Sequence, residues 1–214
     1  MKAIIMDLDG TLVNSEWLAK EAYNFGFKEV LGRPLTVEEK EELVGKPIAL
    51  FLSRFPDKSD LIKSHILHYY QENIYKVKLY DGIENMLESL LMKDYKLGIV
   101  TSQLKHFANS ELENNKIHSY FQSVLTVEDC VESKPHPLPL IQAAKELNID
   151  PKQCMYIGDQ ITDIQAAHAS QMKSGAALWG EGMFEKLVIQ EPNFVFNTPS
   201  ELLELLNQKL ENKW

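Results

Sequence analysis

Cysteine is scarce in this chain. Cys130 and Cys154 are the only two, and neither belongs to a CxxC pair or a Cys/His cluster at zinc spacing. A zinc module of that kind is excluded, and two reduced, mostly buried thiols are expected. Long apolar runs are also missing, and no segment has the length needed to cross a bilayer. The apolar run Ala3–Met6 is too short for a signal peptide and meets acid at once. The expected compartment is therefore the cytoplasm, with no membrane partner. Positive charge is in deficit, with 22 Lys and Arg against 31 Asp and Glu and a formal net charge of -9. The average field of such a chain does not favour nucleic acid. An anionic small molecule remains open as a substrate if a few cations or a metal are placed locally. There are no internal repeats and no low-complexity tracts.

What is present is ordinary globular material, 44% hydrophobic and 25% charged. At 214 residues the chain can bury a good core, as one domain or as a domain with a sizeable insertion. Short apolar runs predict buried strands at Ala3–Met6, Leu97–Val100, Ser123–Val127, Met155–Ile157, Gly175–Leu178 and Phe194–Phe196. Helical spacing lies between them. Ile83, Met86, Leu87, Leu90 and Leu91 fall at i, i+3, i+4, i+7 and i+8. Leu138–Leu147, Ile161–Ala169 and Glu201–Leu210 read the same way, the last introduced by Thr198 as cap and Pro199 as an early proline. Strands and helices thus alternate from residue 81 onward, the pattern of a parallel sheet covered on both faces.

Residues 15–80 differ. They contain no convincing buried strand and predict four helices, Glu16–Leu31, Val37–Leu43, Ile48–Phe55 and Leu61–Tyr75. Thr36 and Glu39 form a capping box for the second, Pro47 suits the first turn of the third, and Glu38–Glu42 reads as a solvated helix face. The fold class is therefore α/β: a Rossmann-like, three-layer parallel-sheet core, residues 1–14 and 81–214, with an all-helical cap inserted at 15–80. Such an insertion suits a lid over the carboxyl edge of the sheet, where ligands bind in open α/β folds.

Asp7 and Asp9 close the first strand in Ala3-Ile-Ile-Met-Asp-Leu-Asp-Gly-Thr11. In an extended chain positions 7 and 9 point the same way, and two adjacent carboxylates repel unless a cation binds or one keeps its proton. The competing reading is a strand that runs into a turn. A second acidic pair follows the strand Met155–Ile157: Asp159 and, one helical turn on, Asp163. Capping of the next helix explains Asp159 but leaves Asp163 unexplained. Four acids at the ends of two parallel strands make a hard-cation site of the kind Mg²⁺ favours. Thr101 and Ser102 follow the strand Leu97–Val100, where their hydroxyls and the free N–H groups of a helix starting near Gln103 suit a phosphate, or simply cap that helix. Lys134 stands in a rigid turn, Lys134-Pro-His-Pro137, either as a surface residue or as the counter-charge to the aspartates and a phosphate.

Asp7-x-Asp9-Gly-Thr11, Thr101, Lys134-Pro135 and Gly158-Asp159-x-x-x-Asp163 resemble, in order, the four motifs of the haloacid dehalogenase-like hydrolase superfamily. The resemblance spans essentially the whole chain and is strongest to the phosphoglycolate phosphatase-like and β-phosphoglucomutase-like branch, which carries a helical cap. It implies an Mg²⁺-dependent phosphatase acting on a small phosphorylated metabolite through an aspartyl-phosphate. By resemblance Asp7 is the nucleophile and Asp9 the general acid and then base. Asp7, the backbone carbonyl of Asp9, Asp159 and, through water or by orienting Lys134, Asp163 serve the metal. Thr101, Ser102 and Lys134 bind the transferring phosphoryl group. Asp9 weighs against a dehalogenase.

Gly45-Lys46-Pro47 resembles a cap loop facing the active site in these relatives, so Gly45 and Lys46 are specificity candidates; an exposed turn is the alternative. Arg33, Arg54, His65 and His68 are further cap candidates. Asn14, Gln160 and Ser170 depart from the branch's usual Asp, small residue and Gly. A phosphosugar mutase and an inorganic pyrophosphatase share the chemistry, and a phospho-acceptor signalling domain is the alternative of another class. The expected assembly is a monomer or homodimer.

Overall fold

The computed structural model describes residues 1–43 and 51–211. Gly45, Lys46, Pro47 and the Ile48–Leu50 part of the third expected helix lie outside the described residues. The described chain divides into two compact units, Met1–Asn14 with Lys78–Trp214, and Ser15–Val77.

The first unit is built on six parallel strands: β1 (Ala3–Met6), β4 (Lys96–Val100), β5 (Ser123–Leu125), β6 (Cys154–Gly158), β7 (Lys173–Ala177) and β8 (Phe194–Phe196), in the spatial order β5-β4-β1-β6-β7-β8. β1 lies centrally, in register Ile4 to Leu97 on one side and Ile4 to Met155 on the other. All four of its residues are buried, which explains why its sequence reads as an unbroken apolar run instead of alternating. The chain leaves β1 towards β4 and β5, then crosses back to β6, so the strand order reverses between β1 and β6. That reversal is the topological switch point where open α/β sheets place ligands.

Helices cover both faces. On α6 (Leu138–Glu146) and just past it, Leu140, Ala143, Ala144 and Leu147 follow the i, i+3, i+4, i+7 spacing and pack with Ile5 and Tyr156 in one buried cluster. α7 (Ile161–Ala169) adds Ala166 and Ala167 to that cluster. α4 (Ile83–Met92) and α9 (Pro199–Glu211) pack against each other. A two-residue antiparallel pair, β2 (Val13–Asn14) with β3 (Lys78–Leu79), closes the unit where the chain leaves and re-enters it. Sequence periodicity does not register this pair, because two residues carry no period. The short α8 (Phe184–Val188) is missed for a similar reason.

The second unit is helical. α1 (Glu16–Leu31) packs on α3 (Ser59–Asn73), and Gly26 permits the close approach, since a Cβ there would strike Ile66 and the Ile62 carbonyl. Phe27, Phe51 and Phe55 form an aromatic cluster within it. Phe51 and Leu52 are helical, and Ser53–Phe55 turn away.

α2 (Val37–Leu43) begins with the expected capping box, Thr36 N donating to Glu39 Oε2 at 2.8 Å and Glu39 N to Thr36 Oγ1 at 3.2 Å. Glu39 is not part of a solvated face as expected. It is buried and takes a bidentate pair of bonds from Arg33 at 2.7 and 2.8 Å, which hold its carboxyl down at about 2. Arg54 lies over the Phe51 ring and His65 against Phe25, so three of the four expected substrate contacts in this unit have internal partners.

Both cysteines are free thiols. Burial pushes Cys154 up to about 11, which keeps it protonated. Among the described residues no helix is long and apolar enough to cross a membrane.

Candidate active site

Three adjacent strands, β4, β1 and β6, end at the same edge of the sheet and deliver Thr101, Asp7 and Asp159. β1 ends at Met6, and Asp7 N still bonds to the Ile157 carbonyl at 2.9 Å, which holds Asp7 beside the neighbouring strand's end. The chain then turns sharply. Leu12 and Val13 N–H groups fold back onto the Leu8 carbonyl, and Gly10 takes the left-handed region at φ 72°. A Cβ on Gly10 would collide with the Asp159 carboxylate, so the glycine is required by close approach as well as by conformation. Thr11, fully buried, donates its hydroxyl to Asp159 Oδ1 at 3.1 Å, and Trp179 Nε1 donates to the Thr11 carbonyl at 2.8 Å.

Lys134 is the hub. Its side chain is buried, and Nζ lies 2.8 Å from Asp7 Oδ2 and 2.8 Å from Asp163 Oδ1. It also donates to the Tyr156 hydroxyl at 2.9 Å and to the Val100 carbonyl at 3.3 Å. Tyr156 in turn donates to Val100 O at 2.8 Å. Burial alone would pull the ammonium down, but Asp163 and Asp7 outweigh it and keep its pKa well above the ordinary value. Asp7 feels the reverse balance. Burial drives its carboxyl up against the attraction of Lys134, Asp163 and Asp9 add repulsion, and it comes to about 7. The Tyr156 phenol is pushed up by burial and stays protonated.

Asp7, Asp159 and Asp163 are all buried, with ligand oxygens within 4.8 Å of one another. Fully ionised, these three carboxylates face one buried ammonium, an excess of two negative charges that a divalent cation would cancel. A compact set of carboxylate oxygens also has the chemistry of a hard-cation site, so the residues fit such an ion. The carboxylate of Asp9 stands outside this group. Asp9 is half-buried, and Gln103 Nε2 lies 3.4 and 3.5 Å from its two oxygens.

The acidic pair after β6 divides its roles, and the capping alternative for Asp159 does not hold. Gln160, not Asp159, is the cap residue of α7, and Asp163 completes the capping box as its third residue. Gln160 N donates to Asp163 Oδ2 at 2.9 Å, so the cap accounts for Asp163 and leaves Asp159 facing the cluster.

The stretch after β4 also differs. The expected helix near Gln103 begins further on, as α5 (Lys105–Asn114). The N–H groups of Gln103 and Leu104 are already bonded, to Thr101 Oγ1 at 3.1 Å and to Gln103 Oε1 at 3.0 Å. Thr101, Ser102 and Lys134 line one small cavity of about 10 Å³, with Ser133 and Cys130 on its wall. Tyr156, Thr11, Gln103 and Gln160 are the polar side chains at this edge that the sequence reading does not single out as site residues. For Tyr156 the available signal was a phenol in an otherwise apolar strand, which needs a partner when buried.

The family model for haloacid dehalogenase-like hydrolases matches residues 4–177. A pyrophosphatase PpaX from Anoxybacillus flavithermus is 30% identical over 208 residues, covering 96% of this chain and 97% of that one. A phosphoglycolate phosphatase from Aquifex aeolicus is 27% identical, covering 98% and 99%. The crystal structure of a predicted phosphoglycolate phosphatase from Haemophilus somnus is 26% identical and superposes with a TM-score of 0.87 over 96% of this chain and 98% of that one. With a Rossmann-like core, the four motifs in order and relatives named as phosphatases, the chain belongs to the haloacid dehalogenase-like hydrolase family, as one of its phosphatases.

Proposed function

We propose that this protein is an Mg²⁺-dependent phosphohydrolase that acts on a small phosphorylated metabolite, with Asp7 as nucleophile and Asp9 as general acid and base. The observation that carries this reading is the Lys134 ammonium, buried at 2.8 Å from both Asp7 and Asp163. A lysine so placed holds the attacking carboxylate with one oxygen fixed and one charge offset. The Leu8 N–H fixes the other Asp7 oxygen, Oδ1, at 2.8 Å.

In the reaction Asp7 attacks phosphorus, the leaving oxygen departs with the Asp9 proton, and an aspartyl-phosphate forms on Asp7. Asp9 then takes a proton from water as that water attacks the aspartyl-phosphate, which releases phosphate and restores both acids. Burial raises Asp7 to about 7, so its role as nucleophile needs the Lys134 charge together with a bound divalent cation to keep it ionised, while Asp9 is half-buried, with the Gln103 amide near it. Lys134 and the hydroxyls of Thr101 and Ser102 neutralise and orient the phosphoryl oxygens. Asp7, Asp159 and the backbone carbonyl of Asp9 would hold Mg²⁺, with Asp163 serving it through water or by orienting Lys134. Bound there, the ion supplies charge neutralisation for the nucleophile and the phosphoryl group.

Residues 15–77 act in this reading as the cap that selects the rest of the substrate, with Gly45 and Lys46 among the candidates. The substrate is phosphoglycolate-like or a sugar phosphate. Inorganic pyrophosphate is the second reading, favoured by the relative at 30% identity, which is named as a pyrophosphatase. Phosphate release from phosphoglycolate, hexose 1-phosphates and pyrophosphate, compared by kcat/KM, tests the choice. Conversion of hexose 1-phosphate to an isomer without phosphate release would identify a mutase instead. The protein works in solution on a small molecule, as a monomer or homodimer in the cytoplasm.

A further inference from the structure

Gln160 bonds to both acids, to one through its side-chain amide and to the other through its backbone. The Asp163 N–H donates to the Gln160 backbone carbonyl at 3.1 Å at the start of α7. Nε2 donates to Asp159 Oδ2 at 2.7 Å. Its backbone N–H completes the box by donating to Asp163 Oδ2 at 2.9 Å. We propose that Gln160 is a positioning residue that sets the Asp159 carboxylate for the divalent cation. This inference rests on the reading of the acidic cluster as a metal site.

Asp159 is 2% exposed and has Thr11 Oγ1 on one oxygen and Gln160 Nε2 on the other. Donors at both oxygens fix rotation of the carboxylate about its Cβ–Cγ bond, while each oxygen keeps lone-pair capacity for a cation. Only one orientation of the Gln160 amide serves Asp159. Flipped, it would turn an oxygen towards the carboxylate, and the bond would be lost. The backbone of Gln160 is held at both ends of the turn with Asp163, which places the amide beside Asp159.

Asp163 is engaged differently. Lys134 lies on its Oδ1 and the Gln160 N–H on its Oδ2, so both oxygens already carry strong donors. Gln160 thus ties the acid offered to the ion to the acid that holds the lysine. Loss of an outer hydrogen-bond partner of a ligating carboxylate costs about 10–100-fold in metal affinity.

Two substitutions separate positioning from capping. Serine supplies a strong helix-cap oxygen but cannot reach Asp159 with an N–H, whereas alanine supplies neither. Calorimetric titration of substrate-free protein with MgCl₂ measures affinity, and melting in EDTA measures the fold. The expected result is a Kd raised roughly tenfold in both Gln160→Ser and Gln160→Ala. The EDTA melting temperature should stay within about 2 °C of wild type for serine and fall by about 2–4 °C for alanine. A wild-type Kd in Gln160→Ser overturns the inference, and a loss confined to Gln160→Ala does so too, by tracing the effect to the cap. Wild-type protein that takes up no Mg²⁺ would instead refute the metal reading on which the inference rests.

Discussion

Lys134 places its ammonium 2.8 Å from Asp7 Oδ2, and both side chains are withdrawn from solvent. An ion pair in such a place is a poor device for stability, because desolvation offsets most of its attraction. Removal of one partner is another matter. Lys134→Met would leave Asp7 and Asp163 buried without their common counter-charge, and the folded state should lose about 3–5 kcal/mol, read from urea unfolding in EDTA. An unchanged midpoint would mean that the acids are solvated or protonated without penalty. Lys134→Arg should not rescue activity, since a planar guanidinium cannot take the place of a point charge among Asp7, Asp163 and Tyr156.

Tyr156 gives a finer test of how Lys134 is held. Its hydroxyl accepts from Lys134 Nζ at 2.9 Å and donates to the Val100 carbonyl at 2.8 Å. Tyr156→Phe keeps the ring in the core and deletes only that link. The expected loss is about 1–2 kcal/mol in stability. Steady-state kinetics should show kcat falling more than KM rises, because the lysine meets developing charge in the transition state. A change in KM alone would place the phenol's influence on substrate binding.

The raised carboxyl of Asp7 has a pH consequence with a definite sign. Folded protein without metal keeps that proton up to about pH 7, whereas the unfolded chain releases it near 3.8. Between those values the folded state binds more protons, so this group's contribution to stability falls as pH rises through the window. The wild-type minus Asp7→Asn difference in unfolding free energy, measured in EDTA, should decline from pH 4 to pH 7. Mg²⁺ binds the ionised carboxylate, so its uptake near pH 6 should release a proton, and its apparent affinity should climb towards pH 7 and then level. Calorimetry in buffers of different ionisation enthalpy reads the proton count directly; zero release would contradict the assignment.

In the second unit the sign is opposite. Arg33 lowers the Glu39 carboxyl to about 2, so the pair's contribution is full above the ordinary glutamate range and is lost as pH falls towards 2. Arg33 is partly exposed, which limits the contribution to about 1 kcal/mol or less. Glu39→Gln keeps the acceptor for the Thr36 N–H and should remove only the acid-sensitive part of thermal stability. A melting curve whose dependence below pH 4 is unchanged in that variant would show that the pair does not carry it.

Much of the architecture was legible because its elements are long or uniformly buried. β1, β8, α1 and α7 start and stop where apolar pattern and cap residues predict. The short β2–β3 pair and α8 were not, since two to five residues show no period. At the candidate site the acids and Lys134 stand out in sequence as residue types that are costly to bury. What could not be read is who bonds to whom. Capping is the alternative that spacing offers for Asp159, yet Gln160 occupies that position, because the helix starts at Ile161, two residues past the acid. Glu39 looked solvated within a charged run, yet Arg33, six residues earlier, pairs with it and it is buried. Such pairings depend on side-chain directions that spacing alone leaves open.

The account turns on Asp7 as the atom donor to phosphorus. Asp9→Asn should still form the aspartyl-phosphate from an aryl phosphate with a good leaving group, but should hydrolyse it slowly. Brief exposure of that variant to substrate, acid quenching and peptide mass spectrometry should find one phosphoryl group, on the peptide that carries Asp7. Asp7→Asn should give no adduct and should lose at least ~10³-fold in kcat. A phosphoryl group on any other residue, or an Asp7→Asn variant that turns over at the wild-type rate, would contradict the account.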